Sequence, residues 1–357
     1  MAERPQFLFV TCHVGAEAAL KAEIACDWPD LRFSFSRPGF VTFKLPPDHN
    51  LVGDFDLRST FAQTYGFSLG RAHGENLQSR AAETWRILGT RPARALHVWQ
   101  RDLYSAEDDR HAIQISPEAI EARNAILNSC PEDSGVAFAE NGGGRANRGD
   151  FVLDCVLVEA DDWWIGYHRA RRAGSRVAGG LLGVAPPVPP VSRAWYKIEE
   201  ALAWSGFPVP PGARFADLGC APGGTSQALL QHGYSVLGID PGAVSPVVLE
   251  YPNFRHVRCR APQVRRREFR KIRWLTADMN VAPQYTLEAV ESIVMHPEIR
   301  IRGMLLTLKL LEWNLAEQIP AFRRRVQEWG FNQVRTRQLG HHRQEFCLAA
   351  LKKPFRR

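Results

Sequence analysis

The sequence predicts an α/β protein in two parts, an N-terminal α+β region followed by a doubly wound parallel sheet. Three observations carry this reading. Beyond residue 192, apolar strand-like runs alternate with helical segments at the spacing of βα units. One of those runs, RFADLG, passes straight into a Gly-rich turn that opens a helix. Between the halves lies VAPPVPPVS, where Pro186, Pro187, Pro189 and Pro190 forbid a helix or a central strand. The expected organisation is residues 1–180, a stiff linker at 181–192, and a second domain over 193–357.

In the N-terminal part, FLFVTC is β-rich and GAEAALKAEIAC reads as a helix with Ala19, Ala22, Ile24 and Cys26 along one stripe. FVTFKL is a strand after the Pro38-Gly39 turn. Residues 55 to 130 mix short apolar segments such as ALHVWQ with the helical PEAIEARNAIL. GGGRANRGD is a polar loop at 142 to 150. FVLDCVLVEADDWWIGYHRA gives two strands turning at Asp161-Asp162. The adjacent Trp163 and Trp164 fit a strand that alternates between core and surface better than a base-stacking pair. This pattern alone names no function.

In the C-terminal part, SRAWYKIEEALAWSG is a helix with Ser192 as its N-cap. RFADLG, YSVLGID, RWLTAD, GMLLTLKLL and EFCLAAL are strands, GTSQALLQHG is a helix, and PAFRRRVQEWG is the helix before the last strand.

Composition sets outer bounds. With 357 residues, 45% hydrophobic and 23% charged, the chain has a globular composition and length for two or three cores. No apolar run approaches the roughly 20 residues that span a bilayer. The opening MAERPQFLFVTCHVG lacks the features of a secretory signal, so a cytoplasmic location is expected. Seven dispersed cysteines without a CxxC pair argue against disulfides and against zinc, and no metal is expected. The net charge of +7 is uneven: nine Lys/Arg fall between Arg255 and Arg273 against one acid, Glu268. Arg169, Arg171, Arg172 and Arg176, Arg323 to Arg325, and Lys352, Lys353, Arg356 and Arg357 form further clusters. Such patches suit a polyanion, the plainer alternative being solvated faces.

The chemistry concentrates in Phe215-Ala-Asp-Leu-Gly-Cys-Ala-Pro-Gly-Gly-Thr225. Gly219, Ala221, Gly223 and Gly224 let a ligand approach the backbone, and a helix N-terminus offers free N–H groups. Asp240 ends the next strand, where an acid can accept hydrogen bonds from ribose hydroxyls of a nucleoside cofactor. A nicotinamide dinucleotide would want G-x-G-x-x-G, but Ala221 and Pro222 interrupt that pattern. Asp217 would repel a pyrophosphate and suits the cationic amino and sulfonium groups of S-adenosyl-L-methionine. That methyl donor is the expected cofactor.

GMLLTLKLL is apolar except at Lys309, which must sit at the carboxyl end of its strand facing the crevice to avoid burial without a partner. Asp278 ends WLTAD beside the same crevice. The plainer reading is a snorkelling lysine and a helix-capping aspartate. SRAWYKIEE, DLGCAPGG, the strand-terminal AD, LKL and a final-strand Glu together resemble the FtsJ-like ribose 2′-O-methyltransferases. The resemblance runs through residues 192 to 350 and implies a Rossmann-like methyltransferase domain whose Lys-Asp-Lys-Glu tetrad falls on Lys197, Asp278, Lys309 and Glu345. The whole layout looks like the RlmM-type 23S ribosomal RNA cytidine 2′-O-methyltransferases, whose N-terminal region contains a THUMP-like RNA-binding module. The partner it implies is large-subunit ribosomal RNA or its assembly precursor.

By the same resemblance, Ser192, the turn from Ala221 through Pro222 to Gly224, Asp240 and Asp278 contact the cofactor. Lys309, in an apolar setting beside Lys197, is expected to have a lowered pKa and to orient or deprotonate the ribose hydroxyl, with Asp278 and Glu345 holding the lysines. One departure stands out: RHVRCRAPQV carries Arg260 where the branch has an acid near the adenine. His341 and His342 lack a third metal ligand at a recognised spacing and fit a structural or RNA-contacting role.

Three rivals remain. A catalytically inactive RNA-binding or assembly factor would be signalled by loss of a tetrad member. A base methyltransferase would carry a catalytic cysteine or an Asn/Asp-Pro-Pro-aromatic motif, whereas Cys347 lies inside the last strand and DMNV replaces that motif. A small-molecule O-methyltransferase would not need the basic clusters.

Overall fold

The computed structural model describes residues 4–49, 55–101, 114–132, 136 and 144–352. Gly142 and Gly143 of the polar loop, and Lys353, Arg356 and Arg357 of the tail, lie outside the described residues. The chain divides into two compact units, Met1–Leu182 and Gly183–Arg357.

The first unit contains β1 (Phe7–Thr11), α1 (Glu17–Asp27), β2 (Arg32–Arg37), β3 (Phe40–Lys44), β4 (Thr64–Ala72), α2 (Leu77–Leu88), β5 (Ala95–Gln100), α3 (Pro117–Asn128), β6 (Phe151–Leu157) and β7 (Trp163–Arg169). Among the described residues its strands form one sheet in the order β2-β3-β1-β4-β7-β6-β5. Every pairing is antiparallel except β5 with β6, whose connection contains α3. One face of β5, β6 and β7 packs under α2 and α3, where Leu96, Val98, Leu153, Trp163 and Ile165 share a core with Trp85 and Ile126. Trp85 Nε1 donates to the Ile126 carbonyl at 2.8 Å, joining the two helices inside that core. The opposite face buries Phe9, Phe40, Trp99 and Val156.

Two local expectations need correction here. The buried stripe of α1 is Leu20 and Ile24, following Ala16, while Ala22 and Cys26 are exposed. Spacing by four keeps one helix face inward, and the expected set of alternate residues did not. FVTFKL is preceded by β2, which the sequence reading did not place; its Phe33 and Phe35 alternate with Arg32, Ser34 and Ser36 yet stay exposed at 54% and 38%. The β6–β7 hairpin turns at Asp161-Asp162 as expected. Trp163 is in the core, and Trp164 lies half-buried on the other face, edge-on to Phe40 at 5.0 Å.

The second unit contains α4 (Ala194–Ser205), β8 (Arg214–Leu218), α5 (Gly224–Gln231), β9 (Ser235–Ile239), α6 (Pro246–Leu249), β10 (Phe254–Val257), β11 (Trp274–Asp278), α7 (Pro283–Val294), β12 (Gly303–Lys309), α8 (Ile319–Glu328), β13 (Gln333–Arg337) and β14 (Glu345–Leu351). The sheet order is β10-β9-β8-β11-β12-β14-β13. From β10 to β12 all pairings are parallel, and α/β alternation covers both faces.

The expectation of a parallel sheet fails at one strand. β14 runs antiparallel to both β12 and β13, because the connection after β13, residues 338–344, is too short for a crossover. Among the described residues no helix is long and apolar enough to cross a membrane.

Candidate active site

Three strand ends and one helix converge at the carboxyl edge of the second sheet. Asp278 is the last residue of β11 and Lys309 the last of β12. Glu345 is the first residue of β14, and because that strand is reversed its start lies directly opposite Lys309 in register. Lys197 comes from the first turn of α4.

The four charges close a ring of alternating sign. Lys197 Nζ lies 3.2 Å from Asp278 Oδ2 and 2.6 Å from Glu345 Oε1. Lys309 Nζ lies 3.0 Å from Asp278 Oδ1 and donates a hydrogen bond to Glu345 Oε2. The side chains are only 6–16% exposed, so a lone charge here would be costly and two matched pairs are not.

The expected lowering of the Lys309 pKa is overturned by this arrangement. Burial does push it down, but the carboxylates of Asp278 and Glu345 outweigh burial, and the net direction is up. Burial likewise works to raise the Glu345 pKa, and Lys197, His342 and Lys309 carry it well below the usual carboxylate range. Lys309 is therefore an ammonium and Glu345 a carboxylate in the protein as it stands.

Around the ring is a support that the sequence reading missed. Glu200 is 2% exposed, one turn beyond Lys197 on α4. Its carboxylate accepts from the backbone N–H of Gly340 at 2.7 Å and of His341 at 3.1 Å, and meets His341 Nδ1 at 3.1 Å. Although burial opposes ionisation, these donors bring its pKa down to about 2. The helix that carries Lys197 thus grips the turn that leads into Glu345. The signal was present in KIEEALAW: an acid three residues after the lysine falls on the same, otherwise apolar, helix face.

The His341 ring stacks on Tyr196 at 5.0 Å. His342 is buried, its Nδ1 accepts from the Leu339 N–H, and burial holds its pKa down to about 4. Both histidines thus brace this turn.

The Gly-rich turn lies beside the ring. The linker docks onto α5 through Gln227, which accepts from Val191 N–H at 2.8 Å and donates to the Pro189 carbonyl at 3.3 Å. That brings Ser192 against Gly224, where a Cβ would stand 2.2 Å from Ser192 Oγ. Ser192 is not the N-cap expected: Arg193 occupies that position, and Ser192 Oγ is buried without a hydrogen-bond partner. Gly219 has φ +77° and would press a Cβ to 2.9 Å from the Asp278 carbonyl oxygen. The Ala221-Pro222 peptide is cis, and Gly223 leads into α5. Asp240 follows β9 and clips the turn, accepting from Ala221 N–H at 3.3 Å and Gly242 N–H at 2.6 Å.

Asp217 does not open onto the crevice as expected. It is fully buried beneath the turn, its oxygens accepting from Ser226 Oγ at 2.7 Å and Thr276 Oγ1 at 2.9 Å. Burial pushes its carboxyl up to about 7 against those hydroxyls. It fastens β8, α5 and β11 together under the pocket.

Arg260 is exposed. The basic stretch around it is partly self-paired: Arg255 meets Glu268, Arg270 meets Glu298 at 2.7 Å, and Arg258 Nε donates to the Pro241 carbonyl.

Residues 190–336 match the FtsJ-like methyltransferase family. Glu345 lies beyond the matched residues, so its membership of the ring is a finding of the geometry. The relatives found include proteins named ribosomal RNA large subunit methyltransferase M. That of Xylella fastidiosa (strain M12) is 32% identical over 170 residues, 45% of this chain and 43% of its own length. That of Hahella chejuensis is 30% identical over 175 residues, again 45% and 43%. That of Xanthomonas oryzae pv. oryzae (strain PXO99A) is 29% identical over 216 residues, 57% of this chain and 56% of its own. The chain thus spans about half the length of the curated relatives it matches.

Proposed function

We propose that the protein is an S-adenosyl-L-methionine-dependent methyltransferase acting on a ribose 2′-hydroxyl of RNA, with a cytidine of 23S ribosomal RNA, free or in an assembly precursor, as the substrate. The observation that carries this is the closed ring of Lys197, Asp278, Lys309 and Glu345 beside the Gly-rich turn. The relatives' names and the sequence resemblance supply the RNA. On this reading residues 1–180 form the RNA-binding region, 181–192 the linker and 193–357 the catalytic domain, and the protein works in the cytoplasm.

The pocket fits the methyl donor. Ser192 Oγ is an unpartnered buried hydroxyl facing a wall kept bare by Gly224. Ser192, the turn from Gly219 through Ala221, Pro222 and Gly223 to Gly224, Asp240 and Asp278 would hold it. Asp240 keeps spare lone pairs for ribose hydroxyls beyond its two backbone donors. Asp217 acts only from beneath. The donor supplies an electrophilic methyl group on sulfur.

The rest is done by the ring. The Lys309 ammonium would donate a hydrogen bond to the 2′-oxygen and orient it, so proximity would supply much of the acceleration. As the carbon–oxygen bond forms, the hydroxyl proton becomes strongly acidic. Asp278, whose two oxygens face Lys309 and Lys197, is the carboxylate placed to accept it. Lys197 and Glu345 keep the charge balanced.

The test is transfer of labelled methyl groups to unmodified large-subunit ribosomal RNA, with modified riboses mapped by resistance to alkali. Single-turnover rates should stay flat between about pH 8 and 10 if Lys309 acts as an ammonium; a tenfold climb per unit would make neutral Lys309 the base. No transfer to any RNA would end the proposal.

A further inference from the structure

We infer that the first unit contains a structural site for a divalent transition cation of the zinc type, built from His97, Asp154 and His168. The three residues lie on β5, β6 and β7, which are neighbours in the sheet. His97 pairs in register with Asp154, and His168 pairs with Val152, two residues away, so all three side chains leave the same face. One donor atom from each lies within 4.8 Å of the others. His97 Nδ1 is 4.0 Å from Asp154 Oδ1, and His168 Nδ1 is 2.5 Å from Asp154 Oδ2. All are 0–1% exposed.

Hydrogen bonding within the protein leaves this cluster incomplete. A pair between His168 and Asp154 satisfies one carboxylate oxygen, while Asp154 Oδ1 and His97 Nε2 make no hydrogen bond. A fully buried carboxylate oxygen without a donor is expensive, and a cation is the partner that supplies what is missing. His168 Nε2–H donates to the Ser175 carbonyl at 2.8 Å, so a metal would take the place of the proton that Nδ1 shares with Asp154 Oδ2.

Two imidazoles and a carboxylate bound through both oxygens give four donors, a closed set with no room for substrate. Its role would be to hold the arginine-rich turn. Ser175 ties to His168, and its Oγ accepts from the backbone N–H of Arg171 at 2.9 Å and Arg172 at 3.2 Å. The spacing from His97 to Asp154 to His168 follows no compact motif, which is why cysteine spacing gave the opposite expectation. This inference does not rest on the methyltransferase reading.

The test uses the full chain, stripped with chelator and dialysed against Zn²⁺ or Co²⁺. One equivalent should bind per chain, the Co²⁺ spectrum should show d–d bands without thiolate charge transfer, and Zn²⁺ should raise the melting temperature. Asp154→Asn and, separately, His97→Gln should abolish all three effects. Their folding is checked by circular dichroism and by a cooperative unfolding transition without metal. If either variant misfolds, the wild-type spectrum and melting shift still decide. A wild-type melting temperature indifferent to Zn²⁺, a thiolate band, or variants that bind as wild type would each overturn the proposal.

Discussion

Each unit buries a cluster of ionisable side chains in a seven-stranded sheet, and the two clusters are built in opposite ways. The ring of Lys197, Asp278, Lys309 and Glu345 stands at strand ends, mixes signs two against two, and pairs every charge within the protein. The cluster of His97, Asp154 and His168 lies within its strands, has one acid against two imidazoles, and leaves two polar atoms unpartnered. The contrast separates a proposed site for reaction from a proposed site for structure. The first is nearly sealed but meets a crevice, and its charges balance before any ligand arrives. The second is closed to solvent and balances only by taking something in.

The comparison can be broken in several places. The largest effect is expected for Lys309→Ala, which should cut methyl transfer by about a thousandfold. Melting of the first unit should not move; a variant that transfers like wild type would make the ring merely structural. Next comes Glu200→Gln, which weakens the grip on the turn before Glu345. Transfer should fall by roughly ten- to a hundredfold through misplacement, with cofactor affinity retained. An unchanged rate would show that the ring needs no such support.

A smaller effect is expected from the buried aspartate beneath the glycine turn. Asp217 has its pKa raised to about 7, so the folded protein holds its proton where the unfolded chain has released it. Stability is then lost as pH rises from about 4 toward 7, by up to about 1.4 kcal/mol per unit. Asp217→Asn should flatten that slope in chemical denaturation, and parallel curves would show that the buried carboxyl does not titrate in this window. Smallest is charge reversal at Arg265, an exposed residue: RNA affinity should drop only a few-fold, with a shallower salt dependence in filter binding. An unchanged salt slope would return that stretch to a solvated face.

Much of this was readable from the residues. The strands of the second unit announced themselves through continuous apolar runs such as GMLLTLKLL, and the turn after β8 through its glycines. A lone lysine in an apolar strand gave Lys309, and the turn signal gave Asp240. What remained hidden depends on partners distant in sequence. Whether burial or neighbouring carboxylates decides the state of Lys309 is settled by Asp278 and Glu345, 31 positions before it and 36 after. Asp217 looked like a pocket wall because its neighbours line one, and only Ser226 and Thr276 show it facing inward. The first unit was harder still: β2 leaves its two phenylalanines exposed, and a histidine on β5 says nothing of an aspartate on β6 until the strands pair.

The reversed strand β14 also carries a consequence for how the protein is made. Glu345 belongs to the last strand in the chain order, and its place opposite Lys309 exists only once residues 345–351 have paired with β12. During synthesis, therefore, the glycine turn and both lysines can be in place while the ring still lacks one of its two acids. The turn is thus assembled from contacts closer in the chain, and the ring is completed only when β14 docks on β12.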